Sequence, residues 1–207
     1  MQLSPVVKLK PSVFIKATQG SRISYDLTGM VILYDRIWLG SSYRKEDAIA
    51  AINAGADMLG FNFYPKSKRY ISTKECVEIQ NGLAERGMEV ISVGVYVNAS
   101  YETIINTLEV CALDLVQLHG DEAPELLEEL GEFAFKAMRP QSVAEAINAL
   151  AKYPQRVDAP ALLVDAYHPS EYGGSGTQGD WSLAREVAAQ KPILLAGGLT
   201  MDEIPYW

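Results

Sequence analysis

From about residue 45 onward, short and almost wholly apolar runs alternate with segments whose apolar residues recur at i, i+3 and i+4. No other feature limits the possible folds so strongly. The runs are Met58–Phe63, Val90–Val97, Leu115–Leu118, Phe133–Ala137, Ala161–Val164 and Ile193–Ala196. Between them lie helical patterns at Lys45–Ala54, Thr73–Arg86, Tyr101–Cys111, Glu122–Leu130, Val143–Lys152 and Trp181–Ala189. Strands without polar alternation are buried on both faces, which implies parallel strands joined by helical crossovers. Ser72 or Thr73, Ser100 and Asp121 are placed to cap helices, and Gly55, Gly87 and Gly131 to stop them. A barrel and a doubly wound sheet both satisfy this pattern.

Two stretches depart from it. Residues 1–29 carry scattered Pro, Gly and Ser without a period and form an unpatterned N-terminal segment; residues 30–207 form a single domain. Met30–Leu39 has the composition of a first strand, interrupted by Asp35 and Arg36. Counting it gives about seven strands, so a closed eight-stranded barrel would lack its last βα unit. An edge left open in this way predicts poor solubility or pairing between copies.

Composition narrows the partners. A formal net charge of −8, with no Lys/Arg run longer than two, argues against nucleic acid and against a membrane surface. Cys76 and Cys111 lack CxxC spacing and have only His119 and His168 for company, which disfavours a disulfide framework or a metal site. A reducing cytoplasm fits that usage. The N-terminus has no sustained apolar core with a cleavage site, so no signal peptide is expected, and no apolar run is long enough to span a membrane.

Polar residues gather where strands give way to loops: Asn62, His119, Lys136, Arg139, Asp165 and the pair Gly197–Gly198. In a (β/α)8 barrel those ends share the face that carries the active site. The segment LLVDAYHPSEYGGSGTQGDW, residues 162–181, says most. An apolar run delivers Asp165, a Gly-rich loop follows, and Asp180 is placed to cap a helix from Trp181. A carboxylate at a strand end beside backbone N–H donors suits acid catalysis on a phosphorylated small molecule. A glycine-rich turn with a solvated carboxylate is the plainer reading of the same residues.

Five ordered blocks, GFNFYPKSKRYIS, VGVYVN, VQLHGDE, the Asp165 segment and LAGGLT, resemble the phosphoribosylanthranilate isomerases of the tryptophan pathway. The likeness runs from about Glu46 to Glu203. It implies an incomplete (β/α)8 TIM barrel. It also implies an Amadori rearrangement of an N-linked phosphoribosyl aminoaldose to an aminoketose, in the cytoplasm, with no metal or organic cofactor. Under that resemblance Asp165 matches the general acid and Arg69 a substrate-contacting arginine. His119 matches a family position at the barrel mouth, expected to bind substrate or pack there. Gly173, Gly174, Gly197 and Gly198 match the loops whose N–H groups hold phosphate; His168 is expected only to line its loop.

The sequence departs from the family at the general base. The family carries a cysteine in a K-I-C-G-type motif on the first strand, whereas this chain reads Arg36-Ile37-Trp38-Leu39-Gly40-Ser41-Ser42. Cys76 and Cys111 lie on helical patterns and read as core residues. Ser41, Ser42, Asp35 and Tyr43 are the nearby polar groups, none suited to the task without assistance. The lost base, the absent last unit and the unpatterned start suggest a defective copy, which a shifted reading frame and an early stop would explain. The alternatives are therefore an active isomerase, a barrel remnant that at most binds phosphorylated sugars, and another phosphosugar isomerase such as the histidine-pathway aminoaldose enzyme. The last would be expected to use two aspartates at opposite strand ends, and the loop sequences here do not fit it.

Overall fold

A computed structural model describes residues 45–53, 55–158, 160–165, 181–190 and 193–196, with the backbone of four short strands between residues 14 and 39. Those four strands are β1 (Phe14–Lys16), β2 (Ser24–Asp26), β3 (Val31–Leu33) and β4 (Arg36–Leu39). They pair antiparallel, β1 with β2 and β3 with β4. After them the chain turns to βα repetition: α1 (Lys45–Asn53), β5 (Met58–Asn62), α2 (Thr73–Ala84), β6 (Ile91–Tyr96), α3 (Tyr101–Cys111), β7 (Leu115–Leu118) and α4 (Pro124–Leu130). A single 3-10 turn (Gly131–Phe133) leads into β8 (Ala134–Met138), α5 (Val143–Lys152), β9 (Leu162–Val164), α6 (Trp181–Ala188) and β10 (Ile193–Leu195).

Strands β4 to β10 are parallel neighbours in chain order, the arrangement expected of an incomplete (β/α)8 barrel. Two differences from expectation concern the ends of the sheet. Met30–Leu39 is not one strand but two, β3 and β4, folded back on each other with Val31 opposite Trp38. The sheet then curls until β10 lies beside β3, with Cα atoms within 8 Å. Among the described residues no eighth parallel strand is present, and an antiparallel one borders β4 in its place. The edge expected to lie open therefore has a neighbour. Residues 14–26 also contain a hairpin that residue periodicity did not reveal.

Local chemistry explains the helices. Ser72 caps α2 in a capping box: its Oγ accepts from the Glu75 N–H at 3.3 Å, and Glu75 Oε2 accepts from the Ser72 N–H at 2.9 Å. Ser100 and Ser142 cap α3 and α5 in the same manner, without the reciprocal half. Asp121 does not cap α4. The cap there is Ala123 with Pro124 at the first helical position, while Asp121 faces Arg139 at 3.6 Å. Gly55 and Gly87 leave α1 and α2 with φ of 95° and 64°, which a side chain would oppose.

Packing separates into an inner and an outer layer. Met58, Val93, Leu115, Phe135, Leu163 and Leu194 form the inner cluster, one contribution from each strand β5 to β10. The alternate residues of the same strands meet the helices, as Val116 and Leu118 do against Leu127 and Leu130. Side chains of this size stabilise by roughly 1.5–3 kcal/mol each when fully buried. Strand period two thus decides which polar residues at the strand ends face the barrel interior.

Candidate active site

Leu115 faces inward, so Gln117 and His119 follow it at two-residue steps; Leu163 faces inward, and Asp165 follows it. Both strand ends are held by continuing ladder bonds. The His119 N–H donates to Tyr96 O at 2.8 Å, and the Asp165 N–H donates to Met138 O at 2.9 Å. Strand β8 runs between β7 and β9, and the inward residue it presents at this level is Ala137. Across β8, His119 Nε2 lies 3.2 Å from Asp165 Oδ2, with 8% of the histidine and 7% of the aspartate exposed. On its other side, His119 Nδ1 lies 2.7 Å from Gln117 Nε2. The result is a buried Gln–His–Asp chain rising from the barrel interior to the C-terminal ends of the strands.

Lys136 shares the strand-end level but not the face. It pairs in register with Leu118, on the helix side of the sheet. Its Nζ reaches Leu118 O, Gly120 O and Ala137 O at 3.1, 2.6 and 3.0 Å, and Glu122 Oε2 at 3.0 Å. Glu122 in turn accepts from the N–H groups of Asn98 and Gly120. Burial holds the Lys136 amine below its ordinary value, with the Glu122 carboxylate pulling the other way. This pair fastens the loop that follows His119; it does not face the barrel interior.

Arg69 sits on the loop after β5, half-buried, its N–H donating to Ser67 Oγ at 3.0 Å. That loop is tied to the end of β5: Asn62 O accepts from Ile71 N–H, and Asn62 Oδ1 accepts from Tyr64 N–H, both at 2.9 Å. Arg69 is thereby carried at the same end of the strands as His119 and Asp165. Cys76 and Cys111 are buried on α2 and α3, in the helical layer, as their spacing predicts. Burial pushes both thiols up, Cys76 well above the ordinary range. Neither is placed to accept a proton at the strand ends. Gly173, Gly174, Gly197, Gly198, His168 and Asp180 lie outside the described residues, as do Asp35, Ser41, Ser42 and Tyr43; Trp38 is described by its backbone alone.

Sequence reading does not single out Gln117, and it places Lys136 at a strand end without giving the face it takes. Both were open to a register argument: Gln117 is the one polar residue in an apolar strand and lies in phase with His119, whereas Lys136 neighbours the inward-facing Phe135. Among the described residues no group of three His, Cys, Asp or Glu side chains could hold a metal ion, and no helix is long and apolar enough to cross a membrane.

A parallel βα barrel with a buried carboxylate and imidazole at its C-terminal strand ends has the build of a barrel enzyme that works by proton transfer. Residues 41–206 match the family model of N-(5'-phosphoribosyl)anthranilate isomerase, and the chain belongs to that family. The isomerase of Citrifermentans bemidjiense is 42% identical over 159 residues, covering 77% of this chain and 73% of the relative. The crystal structure of the isomerase from Thermotoga maritima superposes with a TM-score of 0.66 at 32% identity, over 79% of this chain and 77% of that one. A further isomerase structure, in complex with reduced 1-(o-carboxyphenylamino)-1-deoxyribulose 5-phosphate, gives 0.62 at 31% identity, over 79% and 76%.

Residues 1–65 also match a second model, the type IX secretion system membrane protein PorP/SprF. The isomerase model does not cover residues 1–40, where β1 pairs antiparallel with β2 and β3 with β4, while β4 also runs parallel to β5. The K-I-C-G-like reading of Arg36–Gly40 accordingly falls outside the isomerase match.

Proposed function

We propose that this chain catalyses the Amadori rearrangement of N-(5-phosphoribosyl)anthranilate to 1-(2-carboxyphenylamino)-1-deoxyribulose 5-phosphate, with Asp165 as the general acid. The single observation that carries this is the buried contact of His119 Nε2 with Asp165 Oδ2 at the C-terminal strand ends. The Asp165 carboxyl gives its proton to the furanose ring oxygen. The C1–O bond breaks toward that oxygen while the anilino nitrogen lone pair forms the C1=N bond. The carboxylate left behind accepts the His119 N–H, which stabilises it as its charge develops. A base then removes the C2 proton and the enolamine forms; a proton added at C1, with loss of the 2-hydroxyl proton as the C2 carbonyl forms, gives the ketose, so two protons are gained and two released. Arg69 contacts the substrate from the loop after β5. Gly173, Gly174, Gly197 and Gly198 hold the 5'-phosphate through backbone N–H groups. The reaction belongs to tryptophan biosynthesis, and the cytoplasm is its compartment.

A second reading is favoured by one specific observation: the isomerase match begins at residue 41, and residues 1–44 contain no cysteine. On that reading the barrel binds the phosphoribosyl compound without turning it over. Following the fluorescence of freshly made substrate, alongside its binding to the chain, separates the two. Accelerated decay supports the isomerase. Saturable binding with only the spontaneous decay supports the second.

A further inference from the structure

We propose that Gln117 is a positioning residue that fixes which nitrogen of His119 carries the proton and so turns an N–H toward Asp165; this rests on Asp165 being the acid of the site. Gln117 is wholly buried on β7, among Leu115, Val116 and Leu118. Packing alone would place an apolar residue there. Its Nε2 lies 2.7 Å from His119 Nδ1, while its Oε1 is buried with no hydrogen-bond partner among the described residues. A buried acceptor without a partner is destabilising, so the amide sits at this position against a stability penalty. What it gains is the one bond to the imidazole.

Neutral imidazole has one donor and one acceptor nitrogen. With the amide N–H on Nδ1, the ring proton belongs on Nε2, the atom 3.2 Å from Asp165 Oδ2. His119 then donates to Asp165 and stays neutral. Once Asp165 has passed its proton to the substrate, the carboxylate is met by an N–H already in place, and no proton leaves the ring. The amide turned the other way would demand a proton on Nδ1. Nε2 would then accept the proton of Asp165 and hold it back from the substrate. Gln117 thus selects between an acid that releases its proton and one that is tied down.

The chain carries only two histidines, so its imidazole ¹⁵N spectrum is simple, and a His168→Gln background leaves the ring of His119 alone. Long-range ¹H–¹⁵N spectra of the full chain, taken where the ring is neutral, should show the Nε2–H form. Gln117→Glu places a carboxylate on Nδ1 and should drive the ring to the doubly protonated pattern. Gln117→Met keeps the volume, removes the donor, and should give mixed tautomers in a chain that still melts cooperatively. If Gln117→Glu does not fold, Gln117→Met decides alone. An Nδ1–H ring in the parent, or a His119 spectrum unchanged in a folded variant, overturns the proposal. The expected spectra in a chain that does not turn over substrate would reject the isomerase reading and leave the tautomer assignment standing.

Discussion

Lys136 and Glu122 meet at 3.0 Å with 5% and 6% of their surfaces exposed, on the face of β8 that looks toward the helices. Around them Asn98, Leu118, Gly120, Ala137 and Tyr153 supply further hydrogen bonds. The pair ties together the loops after β6 and β7 on the helix side of the sheet. Removing one partner leaves the other charge buried. Glu122→Ala and Lys136→Ala should therefore each destabilise by about 3–5 kcal/mol, and the double variant Lys136→Met/Glu122→Leu by much less than their sum. Urea denaturation of the four proteins measures this, and additive losses would contradict it.

The same lysine gives stability a pH dependence of defined sign. Burial makes Lys136 harder to protonate in the folded chain than in the unfolded one. Between its lowered value and the ordinary lysine value near ~10.4, the unfolded chain binds more protons, so stability gained through this group rises with pH. Below that window the contribution is constant. The difference in unfolding free energy between the parent and Lys136→Met should move in the parent's favour as pH climbs through the window. A difference that moves the other way contradicts the assignment of burial as the cause.

Much of this was legible in the sequence, and the limits have physical reasons. Helices α3 and α5 and strand β7 fall where periodicity places them, because both elements and caps draw on local chemistry such as Ser100 and Ser142. Asp165 and His119 were found because an apolar strand that ends in a titratable group is a local signal. Their meeting is not, because it brings together side chains of β7 and β9 across an intervening strand. A strand end alone does not say which face a residue takes: Lys136 lies near the end of β8, but its phase with the inward Phe135 turns it toward the helices. Met30–Leu39 reads as one strand because composition cannot reveal that its two halves, β3 and β4, pair antiparallel.

The meeting of His119 and Asp165 across β8 is itself testable. Ala137→Leu would place a larger side chain between His119 and Asp165, at a cost of about 1–3 kcal/mol for overpacking. Separation of the pair should abolish any Asp165-dependent activity while the chain still folds. Thermal melts and the decay assay together check this, and full activity in a folded Ala137→Leu chain would show that the two side chains do not meet there.

Thiol chemistry checks the position of the cysteines. Burial of Cys76 and Cys111, with raised pKa values, predicts no reaction with Ellman's reagent in the native chain and two equivalents released in denaturant. A thiol that reacts rapidly in the native chain would place one of them elsewhere and reopen it as a base.

The central claim is that Asp165, seated on His119, is a working acid. The most direct measurement follows the fluorescence of fresh N-(5-phosphoribosyl)anthranilate with the folded parent chain and with Asp165→Asn. Decay above the spontaneous rate in the parent, reduced by about 10²-fold or more in the variant, is the predicted result. A folded parent that gives only the spontaneous rate, or an Asp165→Asn chain as fast as the parent, would contradict it.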